Sequence, residues 1–261
     1  MKTALLISTY NWPEALELVL NSVLEQSQFP DEILIADDGS KNETKLLIDS
    51  FRSKSSISIL HVWQKDEGFR KSHILNKTIS KSKADYIIQI DGDCILHKDF
   101  VKDHISRAEE GVFLYGSRVN IKKAALSTIF ENKIYQFPFL SMLIKKRTRN
   151  LRIPFLRDRY KSSPLFSTKV RGCNISYWKK DFLEVNGYNE NMEGWGREDS
   201  ELILRKLNNG VLGKRLRYGG ILYHIYHFQA SLSNFEENDK IEQKTIHENV
   251  VWCENGVSKY L

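Results

Sequence analysis

Seven residues near the start, Thr3-Ala4-Leu5-Leu6-Ile7-Ser8-Thr9, form an apolar run that closes in polar Tyr10-Asn11. That is the pattern of a strand covered on both faces. Trp12-Pro13-Glu14 then opens an amphipathic stretch, Ala15 to Gln26, with apolar residues at helical spacing, and Pro30 breaks it. A second short apolar run, Glu32 to Ala36, ends in Asp37-Asp38-Gly39-Ser40. Helices are predicted over Glu43–Ser53 and Ser72–Ser82, and strands over Ile57–Val62 and Tyr86–Ile90, the last running into Asp91-Gly92-Asp93. Strands alternating with helices imply βαβ units and a mainly parallel sheet, an α/β architecture. Ligands of open α/β sheets sit outside the carboxyl ends of the strands, where this chain places Asp, Gly, Ser and Asn.

The pattern weakens over about residues 120–165. It returns as a Gly-rich stretch (Gly187 to Gly196), a helix expected from Glu198 to Leu207 and a strand near Leu222 to Tyr226. From Asn234 the chain is polar, with Ile241, Ile246 and Val250 at roughly helical spacing. One domain over 1–233 with a helical tail over 234–261 is the expected division.

Composition narrows the classes. The 261 residues are 41% hydrophobic and 28% charged, ordinary for a globular chain that can bury its own core. The three cysteines, Cys94, Cys173 and Cys253, form no CxxC pair, which argues against a zinc cluster or a secreted disulfide framework and for a reducing, cytoplasmic setting. The longest apolar stretch, Phe137 to Ile144, is broken by Pro138 and Ser141, well short of the roughly 20 residues that span a bilayer. The net charge of +6 suits anionic partners. Its densest part begins at Lys145-Lys146-Arg147-Thr148-Arg149 and continues through Arg152, Arg157, Arg159 and Lys161. That stretch reads either as a solvated or acceptor loop or as a peripheral dock on an anionic membrane. No zinc-finger spacing or single-strand RNA-reading motif accompanies it, so nucleic acid is not an expected partner.

Several short motifs carry chemistry, each with a plainer structural alternative. Asp91 and Asp93 flank a glycine at a strand end, where both could reach one hard divalent ion, or simply make an Asx turn. Asp37-Asp38-Gly39-Ser40 is equally a good turn and a set of partners for a base and ribose. Gly194-Trp195-Gly196-Arg197-Glu198-Asp199 precedes a helix, so its acids either cap that helix or deliver a carboxylate base beside an aromatic platform for a sugar ring. His224 and His227, spaced by three on an expected strand, should point to opposite faces, so at most one should join a given metal centre.

The order of these pieces resembles the family-2 glycosyltransferases of the nucleotide-sugar-binding GT-A fold, and among them the N-acetylgalactosaminyltransferase half of bacterial chondroitin polymerases. The matching residues are Ser8-Thr9-Tyr10-Asn11, Ala36 to Ser40, Asp66-Glu67-Gly68-Phe69-Arg70, Leu75-Asn76, Tyr86 through Ile95, Gly172-Cys173-Asn174, Gly187-Tyr188 and Gly194 to Leu202. The resemblance implies that Thr9, Tyr10 and Asn11 line the nucleotide pocket with Asp38 at the base or ribose. It implies that Arg70 and Asn76 help hold the nucleotide sugar, and that Asp91, Gly92 and Asp93 are a DxD motif acting through Mn²⁺ or Mg²⁺. Asp199, with Glu198 beside it, looks like the catalytic base, and Trp195, Gly196 and Arg197 would meet the acceptor. His224 looks like the additional metal ligand beside Asp93, with Asp91 and His227 as second choices. The implied reaction is inverting transfer from a UDP-sugar to a hydroxyl of a glycan or lipid-linked glycan, in bacterial capsule or lipopolysaccharide synthesis.

Two other classes are weaker. A sugar-nucleotide nucleotidyltransferase would be expected to carry a Gly-rich basic loop near its start, and Ser8-Thr9-Tyr10-Asn11-Trp12-Pro13 is not one. A non-catalytic carbohydrate- or membrane-binding module would not need Asp91, Asp93, Glu198 and Asp199 together.

Overall fold

The computed structural model describes residues 1–228 and 234–261. The first half alternates: β1 (Thr3–Thr9), α1 (Pro13–Leu24), β2 (Glu32–Asp37), α2 (Asn42–Arg52), β3 (Ser58–Trp63), α3 (Lys71–Lys81) and β4 (Tyr86–Asp91). Helix α1 begins two residues before its first apolar position because Pro13 occupies the first turn, where its missing N–H costs nothing. There follow β5 (Cys94–Leu96), α4 (Phe100–Ile105), β6 (Val112–Tyr115), β7 (Arg118–Ile121), α5 (Leu126–Glu131), β8 (Ile144–Lys145), α6 (Pro154–Arg157) and β9 (Ser162–Ser163). The chain continues through β10 (Ile175–Trp178), α7 (Lys179–Leu183), α8 (Glu198–Asn208), β11 (Leu212–Arg215), β12 (Leu222–His224) and α9 (Phe235–His247).

The main sheet runs in the order β3-β2-β1-β4-β10-β6-β11-β9, and a smaller one runs β5-β12-β7-β8. Strands β3, β2, β1 and β4 are mutually parallel, whereas β10 lies antiparallel to both β4 and β6. Successive residues of a strand face opposite sides. Leu5, Ile7, Ile33, Ile35, Ile88 and Ile90 accordingly pack with α1 in one core, and Ala4, Leu6, Leu34, Ala36 and Ile87 pack with α3 in the other. This double coverage explains the continuous apolar runs of β1, β2 and β4. The register sets Ser8 opposite both Ala36 and Asp91, and Thr9 opposite Asp37, so the polar strand ends share one edge.

Three expectations meet a different structure. The irregular middle contains short elements organised around a buried carboxylate. Asp103 accepts from Arg152 Nε (3.0 Å) and Nη2 (2.8 Å), from Arg157 Nη1 (2.7 Å) and from the Gly220 N–H (3.1 Å). Arg152 and Arg157 therefore belong to the interior of the basic stretch and not to its solvated face. In the tail, α9 buries Asn238, Glu242 and Thr245, while Ile246 is exposed. Its inward face is polar because it meets polar groups of the chain before it: Asn238 donates to the Glu193 and Gly196 carbonyls, and Thr245 to Glu201. Strand β12 stops at His224, two residues early. The division expected at 233/234 falls at residues 229–233, outside the described residues. Among the described residues no helix is long and apolar enough to cross a membrane, and the three cysteines are buried and unbridged.

Candidate active site

The shared carboxyl edge of β1, β2 and β4 assembles a polar cradle. The Asp38 N–H donates to the Thr9 carbonyl (3.1 Å), the Asn11 N–H to Ser40 Oγ (2.8 Å), and the Lys41 N–H to Asn11 Oδ1 (2.9 Å). Asn11 holds φ at +44°, a left-handed conformation that Asn tolerates better than most residues. Gly39, at φ +102°, brings the backbone so close to Asp66 that a Cβ would lie 2.6 Å from its Cα. Tyr10 donates its hydroxyl to Asp66 (2.8 Å). Asp38 accepts from Gln64 Nε2 (2.5 Å) and the Arg70 N–H (2.8 Å), and burial raises its pKa to about 6. Arg70 pairs with Glu67 (2.8 Å) at the rim of this cradle, and its buried Nε has no partner among the described residues.

The two carboxylates after β4 part company. Asp91 accepts from Ser8 Oγ (2.8 Å) and from Lys71 Nζ (2.9 Å). Asp93 instead faces His227 Nε2 (3.2 Å) and His224 Nε2 (3.5 Å). One ligand atom from each of Asp93, His224 and His227 lies within 4.8 Å of the others. Burial pushes the Asp93 carboxyl up, but hydrogen bonding from His227 and the two histidine charges hold it below its usual range. His227, through its bond to Asp93, is raised to about 8, while burial lowers His224. The opposite-face expectation for the two histidines fails because the strand ends at His224; beyond it the backbone is irregular, and the two rings lie 5.0 Å apart between centroids. Two imidazoles and one carboxylate suit a first-row transition ion, Mn²⁺ among them, better than Mg²⁺, which prefers oxygen ligands throughout.

Lys71 links this edge to the acids of α8. Only 13% of its side chain is exposed. Burial pulls its pKa down, yet the charges of Asp91, Asp199 and Glu198 hold it well above the usual ammonium range. Glu198 is buried and accepts from the Gly196 N–H (3.1 Å); burial, then the Asp199 charge, raises it to about 7 against the pull of Lys71. Asp199 accepts from the Gly172 N–H (3.0 Å) and the Tyr188 hydroxyl (3.2 Å). Gly172 is required there, since a Cβ would sit 2.0 Å from the Asp199 carboxylate. Gln89 ties Tyr188 and Tyr177 together behind it.

Three other expected residues take different places. Asn76 is fully buried, donating to the Tyr188 carbonyl and Glu190 (both 2.8 Å) and accepting from the Tyr188 N–H (2.8 Å), so its amide braces the loop after Gly187 and does not reach a ligand. Arg197, at φ +74°, turns to the tail: it pairs with Asp239 (2.6 Å) and Glu242 (3.1 Å) and stacks over Phe235. Gly196 packs against Phe235 as well. Trp195 keeps 38% of its surface exposed beside the acids. A cleft of about 990 Å³ between Ser82–Asp85, Trp178–Glu184 and Asn209–Val211 lies at the amino end of β4 and is lined by none of the expected site residues.

Sequence reasoning left out Lys71 and quoted Ser8, Tyr188 and Gln89 only within matching motifs, without the partners they take here. One signal for Lys71 was available. A lysine in the first turn of a helix opposes the macrodipole and needs a nearby anion. Lys71→Met should therefore move the acidic limb of the pH–activity profile upward, because losing the cation makes the neighbouring carboxylates, Glu198 first, harder to ionise. It should cost less stability than the roughly 3–5 kcal/mol of a fully buried pair, since Asp91 keeps 30% of its side chain in solvent. Lys71→Arg should restore the limb; an unmoved limb in Lys71→Met contradicts the electrostatic role.

Comparison with known proteins shows the family and agrees with this fold. The profile described as Glycosyl transferase family 2 matches residues 4–170, and one described as N-terminal domain of galactosyltransferase matches residues 156–228. Chondroitin synthase of Escherichia coli is 25% identical over 259 residues, covering 93% of this chain but 37% of the synthase. Among solved structures, S. aureus TarS 1–349 in complex with UDP superposes with TM-score 0.63 at 16% identity, over 93% of this chain and 64% of TarS. The mannosyltransferase PcManGT from Pyrobaculum calidifontis, in complex with GDP-Man and Mn²⁺, gives 0.57 at 15% identity, over 85% of this chain and 56% of that one. The fold is thus the α/β GT-A architecture, with a large mixed sheet flanked by helices.

Proposed function

Because this chain belongs to glycosyl transferase family 2, and is therefore a glycosyltransferase, we propose that it moves a hexose or N-acetylhexosamine from a UDP-sugar to a hydroxyl of a glycan or lipid-linked glycan, with inversion at the anomeric carbon. One observation carries the reading: a polar edge joins the Thr9–Asn11–Asp38 cradle, an Asp93–His224–His227 cluster and the paired acids Glu198 and Asp199, with Lys71 facing Asp91 and those acids. Similarity to chondroitin synthase supports bacterial surface-polysaccharide synthesis as the setting.

In this mechanism Thr9, Asn11 and Asp38 orient the nucleoside. Asp93, His224 and His227 would hold a divalent ion, which when bound supplies Lewis-acid neutralisation of the diphosphate leaving group. Asp199 takes the proton of the acceptor hydroxyl. Its two oxygens are fixed by the Gly172 N–H and the Tyr188 hydroxyl, and each keeps a lone pair for that proton. The charge of Lys71 offsets part of the rise that burial gives Glu198. No covalent intermediate is needed, since one displacement suffices.

The test is UDP release from a panel of UDP-sugars, with and without Mn²⁺. Metal-dependent release from one donor is expected; failure of UDP itself to bind would sink the assignment. Peripheral membrane contact is part of the same proposal, supported by exposed Leu140, Met142 and Phe155 among the lysines and arginines of the middle region. Tighter cosedimentation with phosphatidylglycerol than with phosphatidylcholine vesicles is expected, and equal binding contradicts it.

A further inference from the structure

Five arginines gather at the rim of the site without a carboxylate. Arg118, Arg149, Arg171, Arg215 and Arg217 make no ion pair among the described residues, unlike Arg152, Arg157, Arg197 and Arg205, and residues 229–233 contain no acid. The fold brings them together in a traceable way. Arg118 pairs with Leu222 in β12, two residues from the Asn120–His224 pair, and its charge acts on both His224 and His227. Arg149 donates to the Arg118 carbonyl (3.0 Å), and Arg217 donates to the carbonyl of Thr148 (2.9 Å). Arg215 closes β11 two residues before Arg217. Arg171 immediately precedes Gly172, whose N–H holds Asp199. The backbone that carries the group therefore reaches from the strand of His224 to the loop that holds Asp199.

Like charges do not crowd for stability. Burial, then the charges of Arg217, Arg215, Arg118 and Arg171, pull Arg149 below the usual guanidinium range. Each guanidinium presents five N–H donors in a planar fork, and among the described residues Arg149 and Arg217 use one hydrogen bond each, Arg217 also stacking over Tyr218. The remaining donors match the oxygens of a phosphate or carboxylate. The leaving diphosphate would lie at Asp93, His224 and His227, whereas the backbone of Arg171 adjoins Gly172, whose N–H holds Asp199, the side from which an acceptor hydroxyl would approach.

We infer that this arginine arc is an anion subsite for the acceptor, so that the acceptor carries a phosphate or carboxylate near the hydroxyl that is glycosylated. This rests on the transferase reading above and narrows its substrate class.

The test uses wild type and Arg149→Ala/Arg217→Ala, with the donor site filled by UDP and Mn²⁺. Methyl phosphate and glucuronate are titrated by calorimetry, with glucose as the neutral control. Either anion or both should bind, in a salt-dependent way, and glucose should not; which anion binds names the group on the acceptor. The double variant should lose at least tenfold in that affinity while binding UDP like wild type and melting no lower, since repulsion has been relieved. Arg149→Lys/Arg217→Lys should keep part of the affinity. Equal anion binding in wild type and the alanine variant overturns the subsite. So does competition between the anions and UDP, or weakened UDP binding in the variant, which would give the arginines to the donor diphosphate. Phosphatidylglycerol vesicle binding that falls in the variant while neither soluble anion binds overturns it in favour of a membrane dock. If wild type fails to bind UDP, the transferase reading fails instead, and the same anion titration without UDP still decides the subsite.

Discussion

Asp199→Asn is expected to lower kcat by about 10²–10⁴-fold, the contribution of a positioned general base, while UDP binding stays within a factor of two or so. Asparagine keeps the shape and can still accept from the Gly172 N–H through Oδ1, while its Nδ2 donates to the Tyr188 hydroxyl, which can turn its own proton to Gln89, so the loop held by those bonds should move little. What it loses is the negative charge and the ability to take a proton from the acceptor hydroxyl. The check is steady-state kinetics with calorimetric UDP binding on the same preparation. Turnover near wild type would remove Asp199 as the base. Glu198 is then the other carboxylate to consider, but it is buried and already raised to about 7, which leaves it partly protonated at neutral pH.

Asp93→Ala should abolish the Mn²⁺ dependence of UDP binding. Asp93 is the anionic member of the cluster, and without it two imidazoles alone would face the ion. Loss of a ligand itself should exceed the roughly 10–100-fold typical of disturbing a residue that only orients a ligand. Asp91→Asn should behave differently, because Asp91 is already engaged by Ser8 and Lys71. It should weaken activity through Lys71 and leave Mn²⁺ affinity largely in place. Calorimetry of Mn²⁺ and UDP on the two variants separates these roles. Equal loss of Mn²⁺ affinity in both would mean that the two carboxylates act on the ion together.

The contrast between Asp91 and Asp93 shows where sequence reading stops. A strand end carrying Asp-Gly-Asp was legible, as were the doubly covered strands β1, β2 and β4, whose apolar runs have no polar face to hide. The family also followed from the order of motifs, since no single motif is specific. Which partner each carboxylate takes depends on Lys71 and the two histidines, from α3 and the end of β12, and no local pattern records that convergence. A period-two argument separated His224 from His227 because it assumed that the strand continued. Apolar spacing in the tail pointed to Ile246, yet α9 turns its polar residues inward to meet Arg197 and Glu201. Charge counting treated Arg152 and Arg157 as surface because Asp103, some fifty positions earlier, gives no sign in the sequence that it will be buried between them.

The most direct test of the central claim is a crystal structure with UDP and Mn²⁺, with the ion located by its anomalous scattering. The account predicts Mn²⁺ bound by Asp93, His224 and His227, the nucleoside against Thr9, Asn11 and Asp38, and Asp199 on the far side of the open sugar position. An ion held elsewhere, or UDP lodged in the cleft at the amino end of β4, would contradict it.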